Sequence, residues 1–390
     1  MTSNPAKTKQ SFSEILTAYT QVITLRMFFL GFSAGLPLLL ILGTLGFWLR
    51  EAGIDRSTIG YLSWIGLIYG LKWVWAPLVD RLTLPVLSKL LGRRKAWLLM
   101  AQILVIIGLV GMSLSDPSKQ VHAVAWFAIL VAFGSATQDI ALDAFRIESA
   151  DTKMQGVLAA AYQTGYRFAM IWAGAGVLWI AASAQNTPAN IYDHHGWQIA
   201  YLCMAASMLI GVMTVLFSKE QTFVPKEVAH SIQSWIKQAF LDPFADFLKR
   251  YKWHAVLILS LIAVYRISDV VMGIMANPFY VDMGYTKNEV ASVSKIYGVI
   301  MTLVGAFIGG ALTIRFGIYR ILMLGAILSA ASNLLFAWLA TRGHDLTGLI
   351  FVISADNLSS GIASAAFIAY LSSLTNVSYS ATQYALFSSM

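Results

Sequence analysis

The stretch "FFLGFSAGLPLLLILGTLGFWL", residues 28–49, carries no charged side chain. A helix needs roughly 20 apolar residues to cross ~30 Å of hydrocarbon, and this stretch is long enough. A second such run, "AWLLMAQILVIIGLVGMSL", occupies residues 96–114. The 390-residue chain is 58% hydrophobic and only 12% charged, with a mean hydropathy of +0.68. These properties predict an all-α integral membrane protein.

The apolar runs predict about ten full spans. Their expected bounds are 26–49, 57–79, 96–115, 122–146, 154–182, 197–217, 254–278, 288–313, 319–340 and 347–371, with part of an eleventh span beginning near residue 381. A long polar interval separates the first six spans from the others. We therefore expect four segments, namely an N-terminal segment 1–25, a first six-helix bundle 26–217, a linker 218–253 and an incomplete second bundle 254–390.

Basic residues indicate the orientation of the chain. The loops expected outside hold only Arg50, Arg56, Lys119, Lys287 and Arg342, whereas most other Lys and Arg residues fall on the inner side. The positive-inside rule therefore places the N-terminus in the cytoplasm. This topology also accounts for the net charge of +8, so nucleic acid is not expected as a partner.

The linker has apolar residues at helical spacing between Ile232 and Tyr251. This pattern favours an amphipathic helix on the inner leaflet over a disordered linker. Asp242 and Pro243 are residue types that begin helices, so a second helical segment is expected to start there.

The two halves of the chain also share a pattern. "FWLREAGIDRSTIGYLS" (47–63) aligns with "FYVDMGYTKNEVASVS" (279–294), and the short basic turns in "APLVDR" (76–81) and "GALTIRFGIYR" (310–320) follow at similar distances. A six-span unit repeated about a long central loop resembles the major facilitator fold, whose binding cavity lies at the membrane midplane.

Several segments are similar, in order, to the AmpG-type muropeptide permeases. They are "GFSAGLPLLLILGTLGFWL", "LKWVWAPLVDR", "GRRKAWLL", "ATQDIALDA", "GYRFAM", "YRISDVVM" and "SATQYALFS". The resemblance implies a monomeric transporter without a cofactor that imports anhydro-muropeptides across the bacterial inner membrane, driven by protons. It also implies twelve spans, so a truncated, transport-dead remnant is an alternative. Another bulky anionic solute, such as acetyl-CoA, is a further alternative.

"FGSATQDIALDAFRIES", residues 133–149, places Asp139 and Asp143 one helical turn apart. An unpaired charge near the centre of a span costs ~2.5–3.5 kcal/mol, so such residues persist where they face a cavity or a partner. A carboxylate that gains and loses a proton between two states suits proton coupling. Asp139 lies deeper and is expected to carry the proton. Asp143 lies near Arg146, so a structural latch is the alternative for it.

Other polar residues within the spans are candidates for substrate binding. They are Arg167, Tyr162, Tyr166, Gln138, Arg266, Asp269, Lys72 and Lys295. Arg167 suits a substrate carboxylate, or it is the counter-ion of Asp139. Arg266 and Asp269 can instead pair with each other. Lys72 and Lys295 can instead extend to the membrane surfaces.

The short basic turn after the second span is a candidate inner gate, formed by Asp80, Arg81, Arg93 and Arg94. No P-loop, zinc-binding HExxH motif, nucleophile elbow or dinucleotide-binding fingerprint occurs in the sequence. A membrane enzyme that uses Asp139 and Asp143 as acid and base is therefore the least favoured alternative, and no metal or cofactor is expected.

Overall fold

The structure, a computed structural model, describes residues 17–188, 191–219, 233–234, 237–265, 267, 276, 279–280, 282–285 and 289–389, without the side chains of residues 291 and 295. These ranges form helices and connecting turns. The N-terminal helices are α1 (Val22–Leu39), α2 (Leu45–Glu51), α3 (Arg56–Leu62), α4 (Leu67–Leu71), α5 (Ala76–Arg81), α6 (Leu87–Leu91), α7 (Arg93–Leu114), α8 (Pro117–Ser149) and α9 (Gln155–Ile171). The others are α10 (Val177–Ser183), α11 (His194–Ser207), α12 (Leu209–Phe217), α13 (Asp242–Tyr251), α14 (His254–Tyr265), α15 (Gly298–Phe316), α16 (Ile318–Ala340), α17 (Leu346–Leu374) and α18 (Ser380–Ser389).

Eight helical stretches of the described residues are long and apolar enough to cross a membrane. They are Val22–Glu51, Arg93–Leu114, Pro117–Ser149, Thr152–Ser183, His194–Phe217, Ser292–Phe316, Ile318–Ala340 and Leu346–Leu374. Each coincides with one of the expected spans. The chain is therefore a multi-pass, all-α membrane protein.

The second expected span, 57–79, is not one continuous helix. Two 3₁₀ segments, Ser63–Gly66 and Lys72–Val74, separate α3, α4 and α5. Glycine at position 70 weakens the helix, and Pro77 at the start of α5 donates no backbone hydrogen bond. The interruption falls at Lys72, one of the candidate site residues.

Two further predictions concern the span expected at 254–278 and the linker. The expected span 254–278 begins as α14, and most of its second half lies outside the described residues. In the linker, α13 begins at Asp242, where the sequence predicted a helical segment. Its Phe247 is buried against Phe387 of α18, with ring centroids 5.0 Å apart, so part of the apolar face of α13 contacts protein.

The chain divides into two compact units. The larger unit holds the described residues of Arg26–Ser149, Thr164–Leu259 and Thr375–Met390, and the smaller unit holds those of Met1–Leu25, Ala150–Gln163 and Ser260–Leu374. In the larger unit α7 packs along α8, and α18 packs against α5 and α8. In the smaller unit α15 and α16 pack against α17. The bundle boundaries expected from the sequence remain a prediction.

Close helix contacts hold the larger unit together. Spans one and five each contain a π-helical segment, Leu40–Thr44 and Trp172–Gly176, and the Thr44 hydroxyl donates to the carbonyl of Ala173 at 2.8 Å. Nearby, Gly165 of α9 lies so close to α1 that a Cβ there would collide with the carbonyl oxygen of Phe28. Small residues permit such approach between spanning helices, where packing provides much of the attraction.

Candidate functional site

Asp139 lies within α8 in the larger unit. Its Oδ1 is enclosed and has no hydrogen-bond partner in the part of the chain that the structure describes. Lys72 and Asp143 act on this carboxylate electrostatically. Lys72 is only 9% exposed, which argues against the alternative that it extends to the inner surface. Because an enclosed carboxylate oxygen without a hydrogen bond is costly, this position favours a bound proton, water or ligand group.

Gln138, the neighbour of Asp139, contacts a different set of groups. Its Nε2 donates to Ser33 Oγ at 3.0 Å, and Nε2 of Gln102 donates to the same oxygen at 3.3 Å. The Oε1 atoms of both glutamines are enclosed without a partner among the described residues. Ser33 on α1 thus orients Gln138, whose carbonyl oxygen remains an available acceptor.

Asp143 pairs with a basic residue on its own helix. Arg146 Nη2 lies 3.2 Å from Asp143 Oδ1, and the Arg146 side chain is fully buried. The guanidinium also stacks over the ring of Tyr384 on α18, 5.1 Å from its centroid. Asp143 therefore compensates a buried positive charge, which is what a structural latch requires.

Arg167 lies in α9, shortly before the π-helical segment Trp172–Gly176. It is half-buried, and its Nη1 lies 4.0 Å from Met170 Sδ. Its neighbour Tyr166 interacts electrostatically with both Arg167 and Asp139. Tyr162 lies one turn earlier on the same helix, within the smaller unit. Irregular helical segments within spans frequently mark functional positions.

The candidate gate is built around an ion pair between α5 and α7. Arg94 is fully buried, and its Nη2 lies 2.7 Å from Asp80 Oδ1. The same guanidinium donates to Glu148 Oε1 at 2.6 Å and to the carbonyl of Val79 at 2.9 Å. Arg93 donates to the carbonyl of Asp80. A planar, five-donor guanidinium is suited to several acceptors at once.

The start of α18 also contacts this gate. The backbone N–H of Thr382 donates to Asp80 Oδ2 at 2.7 Å, its hydroxyl donates to the same atom at 2.6 Å, and the N–H of Ala381 donates to Oδ1 at 3.2 Å. Arg94 Nη2 donates to Ser380 Oγ at 2.7 Å. A carboxylate at a helix N-terminus is favourable because the free N–H groups and the helix dipole attract it.

Arg81 contacts the linker and the segment before α18. It donates to the carbonyl of Gln238 at 2.8 Å, and its guanidinium lies 5.7 Å from the ring centroid of Tyr379. Burial raises the pKa of the Tyr379 hydroxyl, and the charge of Arg81 opposes that shift. The four predicted gate residues thus lie close together, near the start of α18.

Some candidates fall outside what the structure describes. Arg266 and Asp269 are outside the described residues, and the side chain of Lys295 is outside them as well. Within the described part of the smaller unit, Ser332 donates to Asp356 Oδ1 at 2.9 Å. No group of three His, Cys, Asp or Glu side chains in the described ranges is placed to hold a metal ion.

Sequence reasoning did not select Glu148, Ser380 or Thr382. The available signals were an acidic residue at the C-terminal end of α8 and hydroxyl residues at the start of a helix. These signals are common in proteins, and only the packing of α18 against α5 gives them a role.

The opposite end of the larger unit carries a second polar cluster. The Tyr192 hydroxyl donates to Asp116 Oδ1 at 3.0 Å and accepts from Trp48 Nε1 at 3.2 Å. Burial raises the pKa of Asp116, but hydrogen bonds from Ser118 and Tyr192 outweigh it, so the pKa lies below its ordinary value. This cluster ties α2, the start of α8 and the loop before α11 together.

Comparison with known proteins relates the chain to transporters. The sequence profile of the Major Facilitator Superfamily matches residues 27–390. The protein named AmpG 4 of Rickettsia conorii is 36% identical over 364 residues, which cover 93% of this chain and 85% of that protein. The anhydromuropeptide permease of Escherichia coli is 35% identical over 382 residues, covering 97% and 73%. The solved fucose:proton symporter of E. coli has the same fold, with a TM-score of 0.67 at 14% identity, over 94% of this chain and 87% of that one.

Proposed function

Because the chain belongs to the major facilitator superfamily and, within it, to the AmpG-type transporters, we propose that it imports anhydromuropeptides together with protons. The uptake would cross the bacterial inner membrane, with the N-terminus in the cytoplasm. The substrate assignment rests on the identity with the anhydromuropeptide permease over nearly the whole chain. The chain is a transporter and not an enzyme.

Asp139 is the proposed proton carrier. The observation that supports this role is its enclosed, unpartnered carboxylate oxygen within a membrane-spanning helix. A group that is costly as an anion in one state and stable in another responds to the proton gradient. Asp143 is a weaker candidate for the same role, because it is paired with Arg146.

The proposed substrate contacts are the polar residues that the sequence predicts for this role. They are Arg167, Tyr162, Tyr166, Gln138, Lys72, Arg266, Asp269 and Lys295. Guanidinium and ammonium groups suit the carboxylates of a muropeptide, and tyrosine rings suit its sugars. The proposed inner gate consists of Asp80, Arg81, Arg93 and Arg94. It would be closed while the start of α18 donates hydrogen bonds to Asp80.

Uptake of labelled anhydromuropeptide into energised membrane vesicles tests this function. We expect accumulation that an uncoupler abolishes, and we expect Asp139→Asn to lose accumulation while still exchanging labelled for unlabelled substrate. Lys119→Gln is the matched control, because Lys119 is an exposed residue that makes a weak ion pair with Asp116 at 3.8 Å.

Two outcomes would overturn different parts of the proposal. Uptake that persists after the proton gradient is dissipated would remove the coupling. Uptake of acetyl-CoA that anhydromuropeptide does not compete with would remove the substrate assignment.

A further inference from the structure

Two pairs of polar residues face each other in the larger unit. Tyr69 and Lys72 lie three residues apart at the interruption of the second span, and Ser135 and Asp139 lie one turn apart on α8. The Tyr69 hydroxyl lies beside Ser135, and Lys72 acts electrostatically on Asp139. The pairs are therefore aligned, hydroxyl with hydroxyl and cation with carboxylate.

A nearby hydrogen bond fixes this alignment. Trp75 Nε1, three residues after Lys72, donates to Thr137 Oγ1 of α8 at 3.1 Å. The segment Lys72–Val74 is 3₁₀-helical, and broken spanning helices commonly line the binding sites of transporters. Lys72 is thus held against α8 at a position where the backbone is irregular.

The polar atoms of this cluster are not satisfied by one another. The Tyr69 hydroxyl, Ser135 Oγ and Asp139 Oδ1 are enclosed and make no hydrogen bond of normal geometry in the described part of the chain. Ser135 is only 1% exposed. The Lys72 ammonium makes no ion pair within 4.0 Å of Asp139, although the two charges interact. Buried polar groups in this condition are commonly satisfied by ordered water, an ion or a bound ligand.

Among the described residues, Lys72 is the basic side chain that acts electrostatically on Asp139. The groups that face Asp139 in the described residues are Lys72, Asp143, Tyr69, Tyr166 and Tyr384. Asp143 is already paired with Arg146 at 3.2 Å. The three tyrosines are neutral near neutral pH. Among these groups, the Lys72 ammonium is therefore the positive charge that can compensate an ionised Asp139.

Given the proton-driven uptake proposed above, we propose that Asp139 and a carboxylate of the substrate compete for the ammonium of Lys72. When Asp139 is ionised it holds Lys72, and when it takes up a proton it releases Lys72 to the substrate. One proton is then bound for the one substrate carboxylate that Lys72 holds, and the net charge of the cluster does not change. A neutral cluster is the less costly one to carry through a membrane.

Equilibrium binding of labelled anhydromuropeptide to the purified protein, measured over a series of pH values, tests this competition. For the natural chain the apparent affinity falls about tenfold per pH unit once Asp139 is ionised, because only the protonated fraction is competent. Asp139→Asn frees Lys72 permanently, so its binding is tight and independent of pH. Lys72→Gln binds about tenfold or more weakly and also loses the pH dependence. Lys72→Arg keeps the positive charge, so its binding should depend on pH as that of the natural chain does.

Two results would overturn the competition. The first is an apparent affinity of Lys72→Gln that depends on pH as it does in the natural chain. A second is a double variant, Lys72→Gln with Asp139→Asn, that regains the natural affinity, because Lys72 would then only neutralise Asp139. Elution volume and Tm control for folding, and if Lys72→Gln does not fold, the pH profiles of Asp139→Asn and Lys72→Arg still decide. Uptake that an uncoupler does not reduce would contradict the proton coupling in the proposed function. The binding profiles, in contrast, decide the role of Lys72.

Discussion

Asp80 and Arg94 form an enclosed ion pair in which Arg94 Nη2 lies 2.7 Å from Asp80 Oδ1, and the two side chains are 2% and 0% exposed. The backbone N–H groups of Ala381 and Thr382 donate to the same carboxylate. One acidic side chain therefore joins the basic turn after the second span to the start of α18. Loss of its charge affects both contacts together.

Asp80→Asn should loosen α18. The amide offers one acceptor oxygen where the carboxylate offers two, and it removes one of the carboxylates that compensate the buried Arg94, while Glu148 stays 2.6 Å away. The loss is therefore below the ~3–5 kcal/mol expected when a buried charge loses its partner. The measurement is the rate at which a maleimide labels a cysteine placed at Ala381, which is buried, in a Cys203→Ser background. We expect labelling about tenfold faster or more in the Asp80→Asn variant.

Two hydroxyl residues of α18 provide the matched comparison. Thr382→Ala removes a hydroxyl that donates to Asp80 at 2.6 Å and should also speed labelling. Ser389→Ala removes a hydroxyl that donates to Ala385 of its own helix at 2.7 Å, and the labelling rate should stay the same. Equal rates in all variants would show that the contact with Asp80 does not hold α18.

Gly165→Ala should destabilise the larger unit, because its Cβ would collide with the backbone of Phe28 and separate α9 from α1. We expect a lower Tm in detergent and less folded protein in the membrane. Gly60→Ala is the control, since a Cβ at Gly60 in α3 meets nothing within 4 Å and alanine favours a helix by roughly 1 kcal/mol. A Gly165→Ala protein as stable as Gly60→Ala would contradict the close contact.

The spans are the part of the fold that the sequence predicts well. Hydrocarbon demands long apolar helices, so a run such as 28–49 leaves few alternatives, and the helix Val22–Glu51 includes it. The interruption at Lys72–Val74 was not predicted, although Gly70 and Pro77 were visible. Such residues are tolerated in spanning helices, so their presence does not say where a helix breaks.

Individual candidate residues were easier to find than their partners. The rarity of charge within spans identifies Asp139 and Lys72 separately. Their proximity depends on how the second span packs against α8, which no local pattern encodes. Glu148 was missed for the same reason, because only the packing of Arg94 beside it brings this carboxylate into the candidate gate.

Asp143→Asn should lower stability more than Asp139→Asn does. It removes the carboxylate that lies 3.2 Å from the fully buried Arg146, and removing one member of a buried pair costs about 3–5 kcal/mol. Asp139 makes no ion pair within 4.0 Å among the described residues, and an amide at its position is easier to bury. Tm values of the two purified variants measure the difference.

A second change separates pairing from other roles of Asp143. Adding Arg146→Gln to Asp143→Asn removes both charges and should recover part of the lost Tm, although the stacking on Tyr384 is lost. If the Tm loss of the double variant relative to the natural chain equals the sum of the losses of Asp143→Asn and Arg146→Gln alone, the two residues do not act as a pair.

Acid should weaken the cluster around Asp116. Its pKa is below the ordinary value in the folded protein, so its carboxylate contributes stability that is fully present above the unfolded pKa of about 3.9 and is lost as the pH falls through the folded pKa. The Tm gap between the natural chain and Asp116→Asn should therefore shrink as the pH falls below about 4. Ser183→Ala, which removes a hydroxyl bonded within its own helix, should show a gap that does not depend on pH. A gap for Asp116→Asn that stays constant, or that widens in acid, would mean that the hydrogen bonds from Ser118 and Tyr192 do not favour the ionised carboxylate.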